Sequence, residues 1–207
     1  MVGLRPVGIL ALQGDVREHR AVLEAIGHEV VSVKTPLDLE KVSAVVLPGG
    51  ESTAISLLLK SSGLLGPLRN RIAEGMPTFG TCAGLVLLAR SILDGRADQV
   101  QLDGIDAVVR RNGFGRQRFS FETSAQGAST LAGETLPAVF IRAPLIESVG
   151  DDVEVLATIE RDGGNTPVLI RQGSVLAGSF HPELTADRRC HELFSAMVEQ
   201  GTAQSTL

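Results

Sequence analysis

The stretch PTFGTCAGL, residues 77–85, decides how the rest of the chain is interpreted. A short apolar run leads into Gly80-Thr81-Cys82-Ala83-Gly84, and the residues 85–90 that follow, apolar except for Arg90, predict a helix. Glycines two positions before and after a cysteine form the nucleophile-elbow pattern, with cysteine in the place of serine. Such a sharp strand-to-helix turn strains the nucleophile and crowds its neighbours, so residues without a Cβ fit best.

This pattern predicts that Cys82 is a nucleophile lifted clear of the sheet. At a helix N-terminus the amide dipoles favour the thiolate, and the free N–H groups can stabilise an oxyanion. A buried structural cysteine beside an ordinary turn is an equally good interpretation of these five residues alone. The rest of the chain has to decide between the two.

Composition indicates one globular α/β domain. The chain has 207 residues, of which 43% are hydrophobic and 21% charged, enough for a substantial core. We therefore expect a single domain over residues 1–207, with residues 201–207 as a frayed polar tail.

Several classes of function are disfavoured by the same composition. The chain has no tryptophan or tyrosine for stacking on bases, and its net charge of −5 disfavours nucleic acid as a partner. Two cysteines make no disulfide framework, which favours a reduced, cytoplasmic location. No segment has the pattern of a signal peptide or the length of a membrane span.

Apolar runs and helical patterns alternate along the chain, as in a doubly wound parallel sheet. Asp15 can cap the first helix, whose apolar face contains Val16, Leu23 and Ile26. Further helices are predicted at residues 54–60, 64–74 and 186–199. Strands are predicted at residues 7–12, 29–33, 44–47, 77–79, 105–109, 118–123, 138–141, 153–159, 167–171 and 174–179.

A cysteine nucleophile needs a base, and the base needs an orienting group. Of the four histidines, His181 alone follows a predicted strand and has a carboxylate, Glu183, two residues later. We predict that His181 is catalytic, although a structural turn with a half-exposed imidazole remains an alternative. His19 and His28 are predicted to be solvated.

The remaining candidates for ligand binding are weaker. Cys190 and His191 are adjacent on a predicted helix and point apart, so we predict no metal site there. Gly49 and Gly50 end a strand where open α/β sheets bind ligands, but a plain turn fits as well. On the residues alone, the basic loop at 110–118 is best interpreted as solvated, and Arg142 as an anion clamp or a surface residue.

The elbow and the late His181-Pro182-Glu183 resemble the class I, triad-type glutamine amidotransferases. Finer motifs are similar to the glutaminase subunits of pyridoxal 5'-phosphate synthase, over about residues 7–198. They are ALQGDVREH (11–19), LPGGEST (47–53), RNGFGRQ (111–117), FIRAP (140–144) and SFHPELT (179–185). The resemblance is weak at residues 92–103 and 124–134.

The resemblance implies an α/β fold of the flavodoxin-like type, a three-layer sandwich around a mostly parallel sheet. It implies Cys82 as nucleophile, His181 as base and Glu183 as its orienting group, with no cofactor and no metal. Arginine suits the α-carboxylate of glutamine, and Glu51 its α-ammonium. The residues implied to bind glutamine are Gly50, Glu51, Ser52, Arg111, Ile141 and Arg142. Those implied to form or switch the oxyanion site are Gly49, Gly50, Ala83 and Gln13.

The resemblance also implies a partner, because ammonia released into water is protonated and lost. In that family the ammonia passes to a (β/α)8 synthase subunit within a large two-ring hetero-oligomer. The glutaminase of histidine biosynthesis is an alternative that lacks the RNGFGRQ motif. A cysteine peptidase of similar architecture usually has histidine directly after the elbow cysteine, where Ala83 stands here. A catalytically silent binding subunit is disfavoured by the intact Cys82, His181 and Glu183.

Overall fold

The buried apolar runs predicted from the sequence form the centre of one large sheet in the computed structural model. The structure describes residues 6–96, 98–114, 120–131 and 135–204, with the side chains of 202–204 left out. The described strands are β1 (Val7–Leu10), β2 (Val30–Val33), β3 (Ala44–Leu47), β4 (Thr78–Thr81), β5 (Ala89–Ile92), β6 (Ile105–Arg110), β7 (Ser120–Gly127), β8 (Thr135–Ile141), β9 (Leu145–Val149), β10 (Glu154–Arg161), β11 (Gly164–Gln172) and β12 (Val175–Gly178). The α-helices are α1 (Val16–Ala25), α2 (Pro36–Leu39), α3 (Ser52–Ser61), α4 (Leu65–Ala73), α5 (Ala83–Leu88) and α6 (Arg189–Gln204).

The large sheet has two halves that meet at β12. Its order is β2-β1-β3-β4-β12-β11-β10-β7-β8, and the five strands from β2 to β12 are parallel. From β12 to β8 each neighbouring pair is antiparallel. A smaller sheet has the order β5-β6-β9. Because β4 lies directly beside β12, with Thr81 opposite Gly178, the elbow and the segment that follows β12 meet at the same edge.

Helices cover both faces of the parallel half. Leu10, on one face of β1, packs in a cluster with residues of α3, α4 and α5. Ile9, on the opposite face, packs with Leu23 of α1 and with Phe194 of α6. Successive side chains of a strand point to opposite faces, so the continuous apolar strand supplies both clusters. The predicted fold class, a three-layer α/β sandwich of the amidotransferase type, is confirmed.

The structure differs most from the sequence-based helix boundaries at two helices, and it contains α2 and β9, which the sequence did not predict. The helix predicted at residues 85–90 runs from Ala83 to Leu88, and residues 89–92 form β5 instead. The closing helix, predicted at 186–199, starts at Arg189 and continues to Gln204, so the predicted tail is helical at its first four residues. Residues 205–207 lie outside the described part of the chain. None of the described helices combines the length and the apolar character needed to cross a membrane.

Candidate active site

Cys82 occupies a strained turn between β4 and α5. Its φ of 48° and ψ of −101° are outside the regions that non-glycine residues favour, and its N–H donates to the Gly178 carbonyl at 2.8 Å. A Cβ on Gly84 would collide with the carbonyl oxygen of Leu47, so only glycine allows α5 to approach β3 this closely. The sequence-predicted nucleophile elbow is therefore formed.

The sulfur lies at the floor of a cleft. Cys82 is only 6% exposed, and its thiol approaches the carbonyl oxygen of Ile141, at the end of β8, at 3.8 Å. The sequence predicts a sulfur that is clear of the sheet. In the structure the sulfur lies at the bottom of the cleft, and the residues of the cleft wall shield it from solvent. A ligand must therefore enter the cleft to reach it.

His181 and Glu183 form the second half of the site. His181 lies three residues after the end of β12, and its Nδ1 lies 2.7 Å from Oε1 of Glu183, on the short 3-10 helix Pro182–Leu184. A charged carboxylate only accepts hydrogen bonds, so Nδ1 donates and Nε2 is left for proton transfer. His181 Nε2 has no hydrogen-bond partner among the described residues.

The charges around His181 favour the imidazolium. Burial acts against the charged ring, but the nearby side chains of Asp15, Cys82 and Glu183 together outweigh it and raise the pKa of His181. A positive ring beside a sulfur stabilises the thiolate, which is the nucleophilic form of cysteine. The arrangement therefore places a charged imidazole beside the sulfur of Cys82.

Asp15, which the sequence predicts as a cap of the first helix, lies beside His181 in the structure. It precedes α1 as predicted, but its side chain makes no capping hydrogen bond. Instead Oδ2 lies 3.4 Å from Nδ1 of His181. Asp15, His181 and Glu183 place oxygen and nitrogen atoms within 4.8 Å of one another, a spacing that a metal ion could use. The 2.7 Å hydrogen bond between His181 and Glu183 engages the same atoms in orienting the imidazole.

The prediction of a solvated His19 is wrong. His19 is completely buried, with Nε2 at 3.0 Å from Oγ1 of Thr81 and at 3.4 Å from Oε2 of Glu183. The spacing contains the signal that was missed, because His19 lies three residues after Val16 and four before Leu23, on the apolar face of α1. His28, after α1, is half-buried and bonds to Ser195 of α6 at 2.7 Å.

The cleft above Cys82 brings the predicted substrate residues together. Its volume is about 340 Å³, and both Cys82 and His181 line it. It also includes every residue that the resemblance implied for glutamine, namely Gly50, Glu51, Ser52, Arg111, Ile141 and Arg142, together with Ala83 and Gln13. Gly49 lies beneath the cleft, where a Cβ would collide with the His181 ring.

Glu51 already has partners in the free protein. Its carboxylate caps α3 by accepting from the N–H groups of Thr53 and Ala54, and it pairs with Arg111 at 3.4 Å. Burial opposes the charge, but these hydrogen bonds and Arg111 lower the pKa of Glu51. Its own N–H donates to Oε1 of Gln13 at 2.8 Å. Gln13 thus fixes the glycine loop on which the oxyanion site is predicted.

Comparison with known proteins agrees with this geometry. The model of the SNO glutamine amidotransferase family matches residues 9–200.

The chain belongs to the SNO glutamine amidotransferase family.

Two relatives named pyridoxal 5'-phosphate synthase subunit PdxT come from Rhodococcus opacus and Nocardia farcinica. The first is 52% identical over 93% of this chain and 96% of the relative, and the second 56% identical over 93% and 85%. A crystal structure of a glutamine amidotransferase is 45% identical, with a TM-score of 0.85, and covers 93% of this chain and 98% of that chain. As a member of this family, the chain is an enzyme, a glutaminase of the amidotransferase type.

Proposed function

We propose that this chain is the glutaminase subunit of a pyridoxal 5'-phosphate synthase, with Cys82, His181 and Glu183 as its catalytic triad. One observation carries the proposal. A cysteine on a nucleophile elbow faces an imidazole held at 2.7 Å by a buried carboxylate, in a chain that is 52–56% identical to named subunits of that synthase. We further propose that residues 1–207 act as one domain in the cytoplasm, which its two free cysteines support.

Glutamine fits the cleft by charge as well as by size. Arg111 and Arg142, both on the cleft wall, suit the α-carboxylate. Glu51, opposite Arg111, suits the α-ammonium, and its pairing with Arg111 in the free protein keeps both side chains near the cleft. Ser52 and the backbone of Gly50 and Ile141 complete the proposed binding set. The carboxamide is thereby directed towards Cys82.

The first half of the reaction forms a thioester. The Cys82 thiolate attacks the carboxamide carbon, and the electron pair of the C=O bond moves to oxygen. Backbone N–H groups near Gly49 and Gly50, and that of Ala83, stabilise the oxyanion. His181 Nε2–H then gives its proton to the leaving nitrogen, the C–N bond breaks, and ammonia departs.

The second half consumes water. The neutral His181 removes a proton from water, which attacks the thioester carbon, and the C–S bond breaks to return the Cys82 thiolate. Glu183 keeps Nδ1 protonated throughout and stabilises the imidazolium without taking its proton. One glutamine and one water thus give one glutamate and one ammonia.

The proposed recipient of the ammonia is a (β/α)8 synthase subunit in a large hetero-oligomer. The support is the printed name of the relatives, each a subunit of pyridoxal 5'-phosphate synthase. The fixed loop gives a route for control, because Gln13 holds the N–H of Glu51 at the rim of the cleft. A docked partner that formed new hydrogen bonds with the Gln13 side chain would shift the glycine loop and the oxyanion site.

The test supplies glutamine labelled with ¹⁵N in its amide to the chain, alone and with the candidate synthase subunit. We expect faster ammonia release with the synthase, and the label in the ring nitrogen of pyridoxal 5'-phosphate. Cys82→Ala should assemble normally and incorporate no label, while added ammonium salt restores the product. Rapid glutamine hydrolysis without any label in pyridoxal 5'-phosphate would contradict the proposed pathway while leaving the glutaminase intact.

A further inference from the structure

A series of buried polar side chains connects α6 to the far side of the triad. His191 Nε2, on α6, lies 3.0 Å from Nδ1 of His19 on α1. His19 Nε2 in turn lies 3.0 Å from Thr81 Oγ1 and 3.4 Å from Glu183 Oε2. His19 and His191 are both fully buried. The proposed reaction uses neither of these histidines.

The protonation states of His19 and His191 follow from their burial and from the groups that they contact. Burial lowers the pKa of His19, and burial with the neighbouring His19 lowers that of His191 to about 3, so both rings are neutral. A neutral imidazole has one donor nitrogen and one acceptor. If His19 Nδ1 were the donor, its Nε2 lone pair would face the lone pairs of Glu183 Oε2. The favourable arrangement therefore has His191 Nε2–H donating to His19 Nδ1, and His19 Nε2–H directed at Thr81 and Glu183.

The second oxygen of Glu183 needs that proton. The Glu183 side chain is completely buried, and Oε2 has no hydrogen-bond partner in the part of the chain that the structure describes. His19 Nε2, at 3.4 Å, faces this oxygen. A buried carboxylate oxygen without a donor is costly. The 3.4 Å separation is long for a hydrogen bond, but such contacts often tighten when a substrate is bound.

We propose that His19 is a positioning residue of the glutaminase. Its Nε2–H holds Oε2 of Glu183 in place, so that Oε1 can accept the hydrogen bond from His181. This proposal rests on the triad roles proposed above. His19 also contacts Thr81, the residue before Cys82, so one imidazole ties the nucleophile's strand to the orienting carboxylate. His191 fixes the ring and its tautomer, as an outer partner fixes the ring of a metal-bound histidine.

The test compares two substitutions of His19 that differ in which nitrogen they replace. The amide nitrogen of His19→Gln can reach the position of Nε2 and keep a donor for Glu183, whereas His19→Asn replaces Nδ1 and loses it. In the complex with the synthase subunit, we expect His19→Asn to lower kcat by about 10- to 100-fold, the range typical of outer-shell partners, with little change in KM. His19→Gln should recover most of this loss.

The matched control is His28→Asn. His28 also joins the region of α1 to α6, through Ser195, but lies outside the cleft and the triad. It should leave kcat near that of the wild type, and the thermal midpoints of both variants measure how far each one loosens the packing between α1 and α6. Equal losses of kcat in both variants would overturn the proposal, because loosened helix packing would then explain them.

A double-mutant cycle with Glu183→Gln gives the second readout. If His19 acts through Glu183, then His19→Asn should cost little further kcat once Glu183 has been replaced. Losses that multiply in the double variant, or wild-type kcat in His19→Asn, would refute the positioning role. A wild-type complex that did not hydrolyse glutamine would instead refute the proposed function itself.

Discussion

The two cysteines of this chain are buried to nearly the same extent, at 6% exposure for Cys82 and 2% for Cys190, yet their surroundings differ in kind. Cys82 lies on a strained turn beside an imidazole that its neighbours hold charged. Cys190 lies on α6 in the apolar cluster that contains Phe79 and Phe194, where burial raises the pKa of its thiol to about 12. Burial alone therefore does not decide the chemistry of a cysteine, and the charged neighbour does.

Replacing Cys82 should have the largest effect. Cys82→Ala removes the nucleophile, so we expect ammonia release to fall by at least about 10,000-fold, as for other covalent triads. Circular dichroism and the thermal midpoint should stay close to those of the wild type. Residual turnover above that level would mean that a thioester on Cys82 is not the route to ammonia.

Replacing the charged neighbour should come next. His181→Asn removes the acid and base, which contributes about 100- to 10,000-fold, and also removes the positive charge beside the sulfur. Glu183→Gln should cost less, since Glu183 orients the ring without transferring a proton. The measurement is kcat for both variants, and equally small losses would indicate a structural turn and not a triad.

Alkylation compares the two thiols in one sample. At pH 7 we expect iodoacetamide to label native Cys82, and to label Cys190 only after unfolding, with tryptic mass spectrometry as the readout. Unfolded Cys190 loses its proton above about pH 8.5, while the folded thiol keeps it to about pH 12. The unfolded state therefore binds fewer protons, and this group lowers stability as the pH rises above about 8.5. Native labelling of Cys190 at the rate of Cys82 would contradict the comparison.

The smallest effect on activity is expected for Cys190→Ser. The hydroxyl enters an apolar environment, so the free energy of unfolding should fall by about 1–3 kcal/mol in urea titrations. The kcat of the folded protein should remain near the wild-type value, because Cys190 lies on α6 in an apolar cluster and does not line the cleft. A large loss of kcat without loss of stability would mean that the roles of the two cysteines are reversed.

The parts of this site that local patterns specify could be predicted from the sequence. Glycines flanking Cys82 identified the elbow, and the apolar run at Ala44–Leu47 matched β3 residue for residue. The position of His181 after a strand predicted that its side chain lies in the cleft with Cys82, as the structure has it. Each of these signals lies within a few residues of the group it identifies.

The missed contacts depend on pairs of elements that are distant in sequence. Asp15 was assigned as a cap because its preference at a helix start is local, whereas its approach to His181 depends on β1 and β12 sharing one sheet. His19 lies on the apolar face of α1, but its partners come from β4, α6 and the turn after β12. Residues 115–118 of the basic loop lie outside the described residues, so the predicted exposure of this loop to solvent stays a prediction.

The pairing of β4 with β12 has a consequence for the chain while it is still being made. Cys82 leaves the ribosome early, but His181 and Glu183 follow β12, close to the end of the sequence. Domains generally fold as units, so a chain that has been made only up to β4 still lacks the strand that lies beside β4 in the sheet. Only the insertion of β12 between β4 and β11 brings the imidazole to the sulfur. If Cys82, His181 and Glu183 act as proposed, a nascent or truncated chain that lacks β12 and the residues after it has a nucleophile without a base, and we expect it not to hydrolyse glutamine.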